Sequence, residues 1–122
     1  MPVVIASKTS YSGSVSPSAL DTEVTVIEIT GEANDYMVEG YIDLSALQTG
    51  DAVEIREYIA VDGTNYRLFL KATFSDTQDQ PVIRFHTKTL LSSVKYKVTI
   101  TQTSGTLRSF PYAFIKMVMG SV

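Results

Sequence analysis

The sequence predicts an all-β protein: a seven-stranded antiparallel β-sandwich over residues 23–122, preceded by an extended arm over residues 1–22. Three observations carry this. From Glu23 onward apolar side chains recur with period two, the spacing of strands that bury one face and wet the other. No stretch sustains helical spacing over three turns. Turn-forming residues divide the chain at short intervals, at Gly31, Gly50-Asp51, Asp62-Gly63-Thr64-Asn65, Pro81 and Ser104-Gly105.

The arm is rich in serine, carries Gly13 and Pro17, and has apolar residues only at its start. With so little apolar surface it cannot order itself alone, so it either lies along the domain as an edge strand or reaches a neighbouring subunit. It has no basic segment followed by a long apolar run, so no secretory signal is expected. Val24 to Thr30 is β-branched almost throughout and reads as the first strand. Tyr36 to Leu44 alternates, with Tyr36, Val38, Gly40, Ile42 and Leu44 on the core face and Met37, Glu39, Tyr41 and Asp43 on the wet face.

Residues 52–61 and 66–74 form a hairpin about a four-residue loop. Pairing Ile59 with Leu68, Ile55 with Ala72 and Val53 with Phe74 makes one face apolar and sets Tyr58 opposite Phe69 on the other. Glu57 falls on the apolar face. A bulge or strand end would let it reach water; otherwise it is a buried carboxylate that needs a partner. Val82 to Thr87 follows, with Ile83 and Phe85 inward and Arg84 and His86 outward, and then Lys95 to Thr103, with Tyr96, Val98 and Ile100 inward. The last strand, Leu107 to Val118, contains Pro111, which donates no ladder hydrogen bond and marks its start as an edge or a bulge.

A chain of 122 residues with 44% hydrophobic and 19% charged residues is one domain that can bury a core without a metal or disulfide staple. Cysteine is absent and His86 is the single histidine, which removes thiolate chemistry, histidine-rich metal sites and most hydrolytic triads. Asp76 and Asp79 lack calcium-loop spacing, and no glycine-rich loop precedes a helix. No catalytic residue, cofactor or metal is expected, and no apolar run is long enough for a membrane helix. The net charge of −3 argues against nucleic acid as a partner. That average conceals a balance of −8 over residues 1–61 and +5 over residues 62–122. Either acidic early strands pair with basic late strands inside the fold, or two faces of opposite sign let subunits meet head to tail.

The segment Leu90-Leu91-Ser92-Ser93-Val94-Lys95-Tyr96 resembles the tyrosine corner of fibronectin type III and other immunoglobulin-like domains, with Leu90 and Tyr96 in matching places. The resemblance implies an immunoglobulin-like Greek-key sandwich in which the Tyr96 hydroxyl returns to an upstream backbone group. Threonine-rich strands, the serine-rich arm and the lack of cysteine are also similar in style to small capsid decoration, turret and fibre proteins of prokaryotic viruses.

The candidate contact surface is the outward pair Tyr58 and Phe69 with Arg56, Arg67 and Lys71 around it; Tyr41 and Tyr112 are further candidates. These residues point to a non-catalytic structural subunit of a virion or other surface assembly, a homo-oligomer that could also bind a capsid or other assembly protein. The other reading is an extracellular module that binds carbohydrate or a protein ligand through Tyr58 and Phe69.

Overall fold

The computed structural model describes residues 3–121. Eight strands follow one another: β1 (Val3–Val15), β2 (Glu23–Ile29), β3 (Tyr36–Asp43), β4 (Ala52–Ala60), β5 (Arg67–Ser75), β6 (Val82–Leu90), β7 (Lys95–Ser104) and β8 (Phe110–Ser121). They form two four-stranded antiparallel sheets, ordered β1-β8-β3-β6 and β2-β7-β4-β5. The pairings follow one rule: β1 with β8, β2 with β7, β3 with β6 and β4 with β5. The chain is therefore a single long hairpin rolled into two layers, with β3–β8 and β4–β7 contacts closing each sheet. This connectivity is the jelly roll.

Two expectations are corrected here. The strand count is eight, not seven, because residues 3–15 form a strand along β8. That strand is held mainly by backbone pairing: among its described side chains only Tyr11 and Val15 pack against the core, so apolar alternation does not reveal it. The order also differs from the immunoglobulin one, since β1 lies beside β8 and the sheet that holds β3 also holds β6 and β8.

Between the layers lie Ile27 and Ile29 of β2, Tyr36, Val38 and Ile42 of β3, Val53 and Ile55 of β4, Phe85 of β6, Val98 and Ile100 of β7, and Phe110 and Phe114 of β8. The expected core face of β3 is buried at each of its positions from Tyr36 to Leu44. The Phe85 and Phe114 rings lie 5.1 Å apart, and Gly40 is where the Phe114 ring crosses β3. A Cβ there would come within 2.2 Å of that ring. Pro111 pairs only with Ser14 of β1, one residue past the end of the β3–β8 ladder, so its missing N–H costs no bond to β3.

The corner at Tyr96 is built differently from its resemblance. The ring is buried as expected, but its hydroxyl donates to Glu57 Oε1 at 2.8 Å rather than to the backbone. Tyr96 lies opposite Ile59, two residues from Glu57 on the same face, and an ionised carboxylate is a stronger acceptor than a carbonyl. The backbone contact is made instead by the Tyr36 hydroxyl, which donates to the Val94 carbonyl. Leu90 is half-buried at the end of β6 and packs against the core.

Asp51 ties the loops at one end of the sandwich. It is buried and accepts from the backbone N–H groups of Gln48 (2.9 Å) and Thr106 (3.0 Å) and from Arg108 Nε (2.7 Å). The Arg108 hydrogen bond, followed by that from Gln48, holds its carboxyl below the usual carboxylate range.

Candidate functional site

The sandwich has two open sides. On one, β1 and β2 approach each other; on the other, β5 and β6 do. The β5–β6 side is the unusual one, because two bulges meet there. The β4–β5 register is the expected one from Val53–Phe74 to Glu57–Leu70, then slips so that Tyr58 faces Leu68 and Phe69 is the extra residue. In β6 an extra residue lies between Phe85 and Lys88, which face Gly40 and Val38. That insertion reverses the alternation. Lys88, which strict period two would send outward with Arg84 and His86, is opposite the buried Val38 and enters the sandwich.

There it meets Glu57. The carboxylate is 1% exposed, so the bulge beside it does not bring it to water. Glu57 Oε1 accepts from Lys88 Nζ at 3.1 Å and from the Tyr96 hydroxyl at 2.8 Å, while Oε2 has no partner. Lys88 Nζ also donates to the His86 carbonyl at 2.8 Å and lies 5.4 Å from the centre of the Phe69 ring. Burial, then the Glu57 charge, pushes the Tyr96 hydroxyl well above the usual phenol range. A cleft of about 80 Å³ opens beside the pair, walled by Ile55, Leu70, Ala72, Phe74, Ile83 and Phe85.

Outside this cleft β5 is bare. Leu68, Phe69 and Leu70 are 53%, 56% and 51% exposed, three consecutive apolar residues on a strand that pairs on one side only. Exposed edges usually carry charge or proline to prevent further pairing; here Arg67 and Lys71 flank the apolar run without interrupting it.

The expected contact residues are thus divided. Phe69 lies at the β5 edge, over Lys88. Tyr58 does not face it: the Tyr58 hydroxyl donates to Glu23 Oε2 at 2.6 Å and accepts from an Arg56 terminal nitrogen at 3.3 Å, and Lys97 Nζ is 5.2 Å from its ring centre. Arg56 is bound to Glu54, and Lys71 lies 3.9 Å from the same carboxylate. Arg67 is exposed on β5. Tyr41, 46% exposed on the outer face of β3, lies opposite Arg84 and beside a shallow depression of about 210 Å³ shared with Glu39, Ala113 and Ile115. Tyr112 is half-buried against the core, its ring 6.5 Å from Phe114. Sequence reasoning missed Leu68, Leu70 and Lys88. The expected hairpin register places the first two on its apolar face, opposite Ile59 and Glu57, and the bulge in β6 hides the third.

Among the described residues, His86 is exposed and no three histidine, aspartate or glutamate side chains converge. No helix among them is long and apolar enough to cross a membrane. The charge asymmetry is partly consumed inside the fold, where Glu54–Lys71, Glu57–Lys88, Asp51–Arg108 and Glu32–Lys116 each join an early acid to a late base.

The molecule is therefore a jelly-roll sandwich whose most distinctive surface is an apolar open edge. No protein-family model matches the sequence, and a comparison with curated proteins finds no match. Among solved structures, one similar chain comes from the crystal structure of the infectious bursal disease virus VP2 subviral particle, with 11% identity and a TM-score of 0.49. The similarity covers 96% of this chain and 32% of that one, so this chain spans about a third of the viral protein's length.

Proposed function

We propose that this protein is a non-catalytic structural subunit that associates with copies of itself, as subunits of virions and other surface assemblies do. The observation that carries this reading is the bare edge strand. An ordered strand with Leu68, Phe69 and Leu70 each more than half exposed offers apolar area and unpaired backbone groups together, the two things a strand-to-strand interface consumes. The jelly roll hosts viral capsid domains as well as lectins and cupins, so the fold agrees with an assembly role by analogy only. A non-catalytic role is supported by the chemistry that is committed elsewhere. Glu57 and Asp51, the buried carboxylates, are bound to Lys88, Tyr96 and Arg108.

Light scattering tests this reading. The protein at millimolar-range chain concentration should scatter as a species larger than one chain. Leu68→Thr with Phe69→Thr, which keeps strand propensity and removes the apolar anchors, should weaken association about tenfold or more with an unchanged circular dichroism spectrum. A wild-type protein that stays a single chain at high concentration overturns the reading.

A further inference from the structure

Each sheet holds four strands, and every neighbouring pair is antiparallel. With an even number of such strands, the two edges of a sheet run in opposite directions. A second copy set beside the first by simple displacement across the strands therefore presents its β2 antiparallel to the first copy's β5, and its β1 antiparallel to the first copy's β6. No rotation about a two-fold axis is needed. The edges are on opposite sides of the molecule, so such contacts run head to tail.

Charge decides between the possible pairings. β5 carries Arg67 and Lys71 and no acid, whereas β2 carries Glu23 and Glu28 and no base. Both glutamates are exposed, and their hydrogen bonds from Tyr58, Thr99 and Tyr66 all end on Oε2. Among the described residues nothing donates to either Oε1. Pairing β6 with β1 would set Arg84 against Lys8. Pairing β5 with another β5 would bring two basic strands together, the arrangement that edge lysines oppose.

We propose that β5 of one copy adds to β2 of the next, extending the β2-β7-β4-β5 sheet from subunit to subunit and covering Leu68, Phe69 and Leu70. This rests on the self-association reading and specifies its geometry. The contact is heterologous: it closes into a ring if the relative rotation of successive copies permits, and otherwise grows as a chain.

Charge reversal on either strand separates the possibilities. Arg67→Glu with Lys71→Glu makes both free edges of that sheet acidic; Glu23→Lys with Glu28→Lys makes both basic. Each double variant alone should lose association by about a hundredfold or more at low salt, and an equimolar mixture should restore it, because each variant's β5 then matches the other's β2. Glu23→Gln with Glu28→Gln keeps acceptors for Tyr58, Thr99 and Tyr66, so it serves if the lysine variant misfolds; it should weaken association several-fold. If the wild type is a single chain, the self-association reading fails and this inference with it. If the wild type associates and the β2 variants associate equally well, only the head-to-tail geometry fails. Two dissociated variants whose mixture stays dissociated overturn it as well.

Discussion

Replacing Glu57 with alanine is expected to destabilise the protein by about 3–5 kcal/mol, the cost of leaving one member of a buried ion pair behind. Lys88 would keep its ammonium inside the sandwich with a side chain only 12% exposed, and the Tyr96 hydroxyl would lose its acceptor. The pair itself need not be a net source of stability, because removing two charges from water costs about as much as their attraction returns. Glu57→Leu combined with Lys88→Met should therefore recover much of the loss, since no unpaired charge is left inside, although the Tyr96 hydroxyl still lacks its acceptor. Urea unfolding checks both variants: the midpoint should fall sharply in Glu57→Ala and return much of the way in the double variant, at constant slope. A loss under about 1 kcal/mol in the single variant would mean that water reaches the site.

Gly105→Ala is expected to cost a similar amount for a steric reason. Gly105 has φ +87°, which an L side chain adopts at a cost of roughly 1–2 kcal/mol. Its Cβ would also come within 2.0 Å of Asp51 Oδ1 and 2.7 Å of Asp51 Cα. Asp51 cannot withdraw without releasing Gln48, Thr106 and Arg108, so the overpacking adds about 1–3 kcal/mol. Gly50→Ala is the control. Gly50 has φ +92° but no atom within 4 Å of the added Cβ, so it should show only the backbone cost. Thermal unfolding should place Gly50→Ala clearly above Gly105→Ala; equal losses would show that the contact with Asp51 contributes nothing.

Those two sites also mark how far the sequence could be read. The inward face of β3 and the hairpin register as far as Glu57 were legible because each follows from uninterrupted alternation. A bulge adds one residue and leaves the pattern on either side looking regular, so the inward turn of Lys88 and the separation of Tyr58 from Phe69 were not. Glu57 was visible as an anomaly, but its partner sits on the other sheet, 31 residues away. β1 was legible only as one of two alternatives, an edge strand or a reach to a neighbouring subunit, and the count of seven omits it: its pairing with β8 is made by backbone groups common to every residue, and its side chains are mostly serine, threonine and other exposed groups. The sheet order followed from that omission. Without β1, seven strands suit an immunoglobulin-like arrangement, and only the β1–β8 pair completes the rolled hairpin.

The bare flank of β5 was obscured by the same hairpin logic that found it, because Leu68 and Leu70 look like core residues when set against Ile59 and Glu57. In the fold β5 is the last strand of its sheet, and the slip at Phe69 sets Leu68 opposite Tyr58 rather than Ile59, while Leu70 keeps its place opposite Glu57. Its backbone is the most direct reporter of association. Amide hydrogen exchange followed as a function of protein concentration should show protection rising in residues 67–75 while the central strands β4 and β7 stay unchanged, because an unpaired edge gains hydrogen bonds only when another strand lies against it. Exchange in β5 that stays fast and independent of concentration, in a sample whose mass shows association, would contradict the assignment of this strand as the contact.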